Sequence, residues 1–209
     1  AITTGEGGMI TTSNKDLAEK IRCLRDHGAI MSDLQRHLGA KPYLLADHPE
    51  AGYNQRMTDI QAALGSSQMD RAKEIVAERR KVAHIYDEAF SKLNWLRTPQ
   101  CPEGYGHGYQ SYPCMFGSQE YSLTQIGETN KARNAWMEIL QGKGISTRPA
   151  THAVHMLSYY KEKYLLNPED FINAYAANDC SISLPLFHGI TQEEQEYVIE
   201  TIYNTNPFK

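Results

Sequence analysis

The chain has 209 residues, enough to bury one large or two small cores, and its 21 basic against 25 acidic residues leave a formal charge of −4. No basic stripe with interleaved aromatic residues runs through it, which argues against a nucleic-acid partner, and no apolar run approaches the roughly 18 residues of a membrane span. The four cysteines, Cys23, Cys101, Cys114 and Cys180, are scattered without a C-x-x-C pair, a pattern of free thiols in a reducing compartment rather than of a zinc site.

From the N-terminal side, Gly5-Glu6-Gly7-Gly8 forms a glycine-dense turn and Gly8 to Thr12 reads as a short strand. Ser13 is placed to cap a helix whose apolar positions Leu17, Ile21 and Leu24 recur at i, i+4 and i+7, and Gly28 is placed to stop it. Residues 29 to 57 show no sustained period and contain Gly39, Pro42, Pro49 and Gly52, so they read as a long loop, which in a compact domain is usually functional or disordered. Thr58 with Gln61 is a capping-box signature. The helical pattern that follows, through Ile60, Leu64, Ile75, Val82, Tyr86 and Phe90, is too long for one ordinary helix. It predicts a break near Gly65-Ser66-Ser67 or around Asp70 to Lys73.

Beyond Leu93 the texture changes. Trp95 to Thr98 and Tyr109 to Phe116 read as strands about the loop Gly104-Tyr105-Gly106-His107-Gly108, which lacks the strand-turn-helix context of a dinucleotide fingerprint. A helix from about Asn130 to Gln141 precedes a strand from Ile145 to Arg148. A second helix over roughly Glu169 to Asp179 precedes a strand from Ser181 to Leu184, and Thr191 with Glu194 opens a terminal helix through Val198 and Ile202. Alternating strands and packing helices predict an α/β layer distinct from the first 70 residues, so the expected division is 1–70 and 71–209.

Three segments carry candidate chemistry. The first is the turn at Gly5 to Gly8 with Thr3-Thr4 before it and Met9-Ile10-Thr11-Thr12 after it; as a bare motif it is an ordinary β-turn. The second is Gly52-Tyr53-Asn54-Gln55-Arg56, on a loop ending at a helix N-terminus. An Asn amide can donate to a phosphate oxygen and an Arg can grip phosphate or sugar oxygens in a bidentate fashion, although on these residues alone a turn-shaping Asn54 and a solvated Arg56 are the simpler reading. The third is Arg148-Pro149-Ala150-Thr151-His152-Ala153-Val154-His155. Its two histidines lack a carboxylate or cysteine nearby, which disfavours a metal, and they read either as polar groups lining a pocket or as including one buried structural histidine. Arg22, Arg25 and His27 complement the dipole at a helix C-terminus, a structural role.

Taken together, these segments resemble the DegT/StrS-type sugar aminotransferases, enzymes of fold type I that depend on pyridoxal 5′-phosphate (PLP). The resemblance extends over essentially the whole chain and corresponds to the C-terminal half of a member. It implies the C-terminal part of the large PLP-binding domain plus the small α/β domain, with the cofactor-binding lysine expected immediately before the residue equivalent to Ala1, so that no catalytic residue falls in this chain. It further implies that Asn54 binds the PLP phosphate of a neighbouring subunit and that Arg56 approaches a nucleotide-sugar. Arg148, His152 and His155 fall in the substrate-side loop, where Ala153-Val154-His155 replaces the family's Pro-x-His element.

The implied activity is transfer of an amino group, from glutamate as the usual donor, to a nucleotide-linked keto-sugar for amino-sugar biosynthesis, by a cytoplasmic homodimer with shared active sites. Two alternatives remain open on the sequence: a dehydratase of the same fold that uses pyridoxamine phosphate, and a non-catalytic dimerisation or regulatory module.

Overall fold

The computed structural model describes residues 1–30, 43, 45–117 and 120–207. It divides into two compact units, Ile2–Ala72 and Lys73–Lys209. The parts of the expected 29–57 loop at 31–42 and 44, with Gly39 and Pro42, lie outside the described residues.

In the first unit, helix α1 spans Lys15–Arg25. Its N-cap is Asn14 rather than Ser13: the Asn14 Oδ1 accepts the Leu17 N–H at 3.0 Å, which satisfies one of the orphan donors of the first turn. Helix α2 spans Asp59–Met69 and opens on the expected box, with the Thr58 hydroxyl accepting from Gln61 N and the Gln61 side chain accepting from Thr58 N. The break falls at Asp70-Arg71, the second of the two expected places, and helix α3 begins at Ala72 and runs to Phe90. The strand expected at Gly8 to Thr12 is absent, for a physical reason: a strand exists only with a neighbour to take its N–H and C=O groups, and the described residues offer that segment none. Gly28 is the one buried residue among those described in this unit, and Met9, Ile10, Ile60 and Met69 all stand exposed.

The second unit holds the core. Strands β1 (Leu96–Arg97), β2 (Tyr112–Phe116) and β3 (Ser181–Leu184) form an antiparallel sheet in that order, with Leu96 opposite Phe116 and Cys114 opposite Ile182. Tyr112, Cys114 and Phe116 alternate inward along β2, the period expected of a half-buried strand. Helix α4 (Leu123–Gly142) lays Trp136 and Leu140 on that face. Trp136 meets Trp95 edge-on at 5.1 Å and Phe116 at 5.5 Å, and its indole N–H donates to the Thr205 hydroxyl at 3.0 Å. Helix α3 contributes Tyr86 and Phe90, and also Arg79, which is buried with no carboxylate paired to it among the described residues. Its guanidinium donates instead to the carbonyls of Tyr109, Gln110 and Leu186, and its pKa is lowered by burial.

Helix α4 starts seven residues earlier than expected. Its Ser122-Gln125 cap, in which the Gln125 side chain accepts the Ser122 N–H at 3.2 Å, is itself a sequence signature, diluted by Gly127 and Asn130 in the first turns. The strand expected at Ile145 to Arg148 reduces to a single bridge between Arg148 and Ser183, because Pro149 has no N–H with which to extend a ladder. After it come a 3₁₀ turn (Val154–Met156) and the short helix α5 (Ser158–Tyr164), neither of them expected. The expected helix at 169–179 is a 3₁₀ turn (Pro168–Phe171) followed by α6 (Ile172–Cys180). Helix α7 (Gln192–Asn204) opens on the Thr191–Glu194 box and packs Val198 and Ile202 into the core.

Candidate functional site

Three sequence-distant motifs meet in the first unit. At the end of α1, Gly28 adopts a left-handed φ of +78°, which turns the chain so that 24–28 runs beside 52–55. Tyr53 N donates to Leu24 O at 2.7 Å, His27 N to Tyr53 O at 2.8 Å and Gln55 N to Arg25 O at 2.9 Å, with Asp26 and Asn54 forming an antiparallel bridge. The backbones approach so closely that a Cβ on Gly52 would fall on the Gly28 amide nitrogen and one on Gly28 would fall on the Glu50 carbonyl oxygen. The basic helix end, read from sequence as structural, is therefore the clamp that holds Gly52-Tyr53-Asn54-Gln55-Arg56.

The clamp sets the two side chains it presents. Asn54 and Arg56 are both exposed, and the Asn54 Oδ1 accepts from Arg56 Nε at 3.3 Å, which leaves Nδ2 as the donating end of the amide. Arg56 Nη1 lies 3.5 Å from the Asp26 carboxylate, which is largely shielded from solvent. The outcome is a fixed amide donor beside a guanidinium, a pair suited to a phosphate group. Nothing in the sequence marked Asp26, because its tie to residue 56 spans a loop of about thirty residues.

The glycine turn joins the same unit. Gly5 takes φ +80°, Gln61 Nε2 donates to Glu6 O at 2.8 Å, and Thr3 N donates to the Gln68 side chain at 3.1 Å, so the turn is tied to α2 along its length. Gly7 sits against Thr4 and Met57, and a Cβ there would meet the Thr4 hydroxyl. Thus the glycine turn and the Asn54–Arg56 segment flank one helix N-terminus.

Arg148, His152 and His155 belong to the second unit. Arg148 is exposed on the rim of a cleft of about 590 Å³ between α4 and residues 144–148, and His152 is exposed in the loop beyond it. His155 is not with them. It is buried, its Nε2 3.2 Å from the Pro168 carbonyl oxygen and its ring against Phe171, the structural place that was the alternative reading of this pair. Among the described residues no three His, Cys, Asp or Glu side chains come together as a metal site would need.

The model of the DegT/DnrJ/EryC1/StrS aminotransferase family matches residues 1–203. The chain belongs to that family. An uncharacterized protein of Methanocaldococcus jannaschii is 31% identical over 201 residues, covering 96% of this chain and 50% of its own length. The GDP-perosamine synthase of Caulobacter vibrioides is 33% identical over 202 residues, covering 96% and 48%. The chain thus spans about half the length of the curated relatives it matches. Among solved structures, the pyridoxamine-phosphate form of a sugar aminotransferase described as putative from Streptococcus pneumoniae superposes with a TM-score of 0.76 at 22% identity, over 94% of this chain and 46% of that one. The fold is that of the C-terminal part of a fold-type-I aminotransferase, mixed α/β and mostly helical, and enzymes of this family use PLP. The Asn54 amide, a neutral donor held beside a guanidinium, fits the phosphate end of that cofactor. Among the described residues no helix is long and apolar enough to cross a membrane.

Proposed function

We propose that this chain is part of a PLP-dependent sugar aminotransferase that moves an amino group from an amino acid, glutamate in the first instance, to a nucleotide-linked keto-sugar. The observation that carries the reading is the clamp between Asp26 and Asn54, which presents an oriented amide donor and a guanidinium on one short exposed segment. Asn54 Nδ2 donates to the cofactor phosphate, and Arg56 meets the anionic part of the nucleotide-sugar. When bound, PLP supplies the electron sink that amino-group transfer requires. Arg148 and His152 bind the substrate, while His155 holds their loop from behind through Pro168. The enzyme works as a cytoplasmic homodimer in which Asn54 and Arg56 serve the site of the opposite subunit.

The test uses the full-length enzyme. Asn54→Ala removes a charge-assisted hydrogen bond worth about 1.5 to 3 kcal/mol, a roughly ten- to hundredfold weaker hold on PLP. Arg56→Ala raises the KM for the sugar nucleotide more than it weakens PLP. Mixing Asn54→Ala subunits with subunits whose cofactor-binding lysine is replaced regenerates one intact site per heterodimer, and activity returns. Verified heterodimers that stay inactive would show that Asn54 does not serve the partner's site.

A further inference from the structure

The loop that carries Arg148 and His152 has no regular secondary structure between Arg148 and Val154, yet its backbone is pinned at three points. Ser183 N donates to Arg148 O at 2.7 Å, Ala150 N donates to the Ser181 hydroxyl at 3.1 Å, and Ala153 N donates to the Asn178 Oδ1 at 2.9 Å. Two of the three anchors are side chains from the α6–β3 junction. They continue the hold on the loop past Pro149.

The anchors are themselves held. Asn178 Nδ2 donates to the Asp179 carboxylate at 2.7 Å, which orients the amide with its oxygen toward Ala153. Asn130, on α4, donates to the Asp179 carbonyl at 2.8 Å, and the buried Arg133 donates to the Ser181 carbonyl at 2.6 Å. A chain of polar contacts therefore runs from α4 through the α6–β3 junction to the backbone on either side of Thr151-His152. Ala153 and Ser181 are both about 2% exposed, so neither Ala153 N nor the Ser181 hydroxyl could find water as a substitute partner without opening the packing.

We propose that Asn178, supported by Ser181, is a positioning residue that sets the geometry in which Arg148 and His152 meet the diphosphate of the nucleotide-sugar. The inference rests on the reading that Arg148 and His152 face the substrate. Asn178 does not itself touch substrate; it holds the loop in the bound arrangement, so that the ordering is complete before binding rather than exacted from it.

The experiment measures, by titration calorimetry on the full-length PLP-loaded protein, the affinity for whichever of UDP, dTDP and GDP binds the unaltered protein most tightly. Asn178→Ala is expected to weaken that affinity about three- to tenfold, the range of one neutral hydrogen bond, while PLP occupancy and the glutamate half-reaction stay unchanged. In a background carrying both Arg148→Ala and His152→Ala the same substitution is expected to change affinity less than twofold, because a residue acting through that pair has nothing left to position. Ser181→Ala, which removes the tie to Ala150, repeats the test if Asn178→Ala does not fold. Full affinity in Asn178→Ala or Ser181→Ala where Arg148→Ala or His152→Ala weakens binding would overturn the positioning role alone, as would additive losses when Asn178→Ala is combined with both of those substitutions. Unchanged affinity in both Arg148→Ala and His152→Ala, or no binding of any of the three nucleotides, would overturn it together with the reading on which it rests.

Discussion

Replacing Gly52 with alanine isolates the clamp on which the cofactor reading depends. The backbone of Gly52 is not in the left-handed region, so the substitution adds no conformational strain and acts only through space. The new Cβ would fall on the Gly28 backbone nitrogen and stand 2.5 Å from the carbonyl carbon of His27 and 2.7 Å from the Cα of Gly28, at least about 1 Å inside ordinary contact. All of these obstacles are backbone and cannot swing aside. Separating the two segments by that distance carries the hydrogen bonds Tyr53 N to Leu24 O and His27 N to Tyr53 O, now 2.7 and 2.8 Å, beyond the range in which they count as bonds. At about 1 kcal/mol each, losing them and the neighbouring Gln55 N to Arg25 O bond costs about 2 to 3 kcal/mol locally.

Asn54 moves with the segment, so the hold on PLP should fall roughly ten- to hundredfold, read by absorbance titration of the cofactor-free full-length enzyme. Gly104→Ala serves as the control. Gly104 has φ +83° and nothing within 4 Å of a built Cβ, so alanine there costs about 1 to 2 kcal/mol of backbone strain without touching the site. If Gly52→Ala binds PLP as tightly as the unaltered enzyme, the clamp does not position a cofactor ligand and the argument from it fails.

Trp136→Ala should lower stability by about 3 to 5 kcal/mol in chemical denaturation, because it empties the position between Trp95 and Phe116 and leaves the Thr205 hydroxyl without its indole donor; a loss under 1 kcal/mol would mean that the core re-forms around the gap. The buried thiols give a pH dependence: burial pushes Cys180 up to about 11 and Cys114 higher still, so both remain protonated in the folded protein at pH 9. A folded pKa above the unfolded value makes stability fall as pH rises through the interval between them, so unfolding free energy should decline from about pH 9 to 11. At pH 8 a thiol reagent should modify the exposed Cys101 quickly and Cys114 and Cys180 only on unfolding; rapid reaction of all four cysteines would contradict the burial.

What the sequence determined by itself is what local interactions decide. The boxes at Thr58–Gln61 and Thr191–Glu194 satisfy helix donors within three residues, and both helices start where those residues place them. The Ser181 to Leu184 strand stands at its expected bounds, and the interruption of the long helical pattern falls in the charged stretch after Met69. The Gly52–Arg56 motif stood out as a phosphate-binding candidate only through the family resemblance, since on its residues alone a turn-shaping Asn54 and a solvated Arg56 are the simpler reading.

Tertiary structure decided everything that depends on a partner far along the chain. Gly8 to Thr12 and Ile145 to Thr147 have strand-like composition but no ladder, since pairing needs a neighbour that composition cannot supply. His152 and His155 look alike in sequence; folding sends one outward and seals the other against Pro168 and Phe171. The bridge of Asp26 to Asn54 and the bond of Asn178 to Ala153 join residues 28 and 25 positions apart, and no local pattern encodes either. Each arises because a close backbone approach or a proline leaves polar groups that the fold must satisfy with whatever side chain it brings within reach.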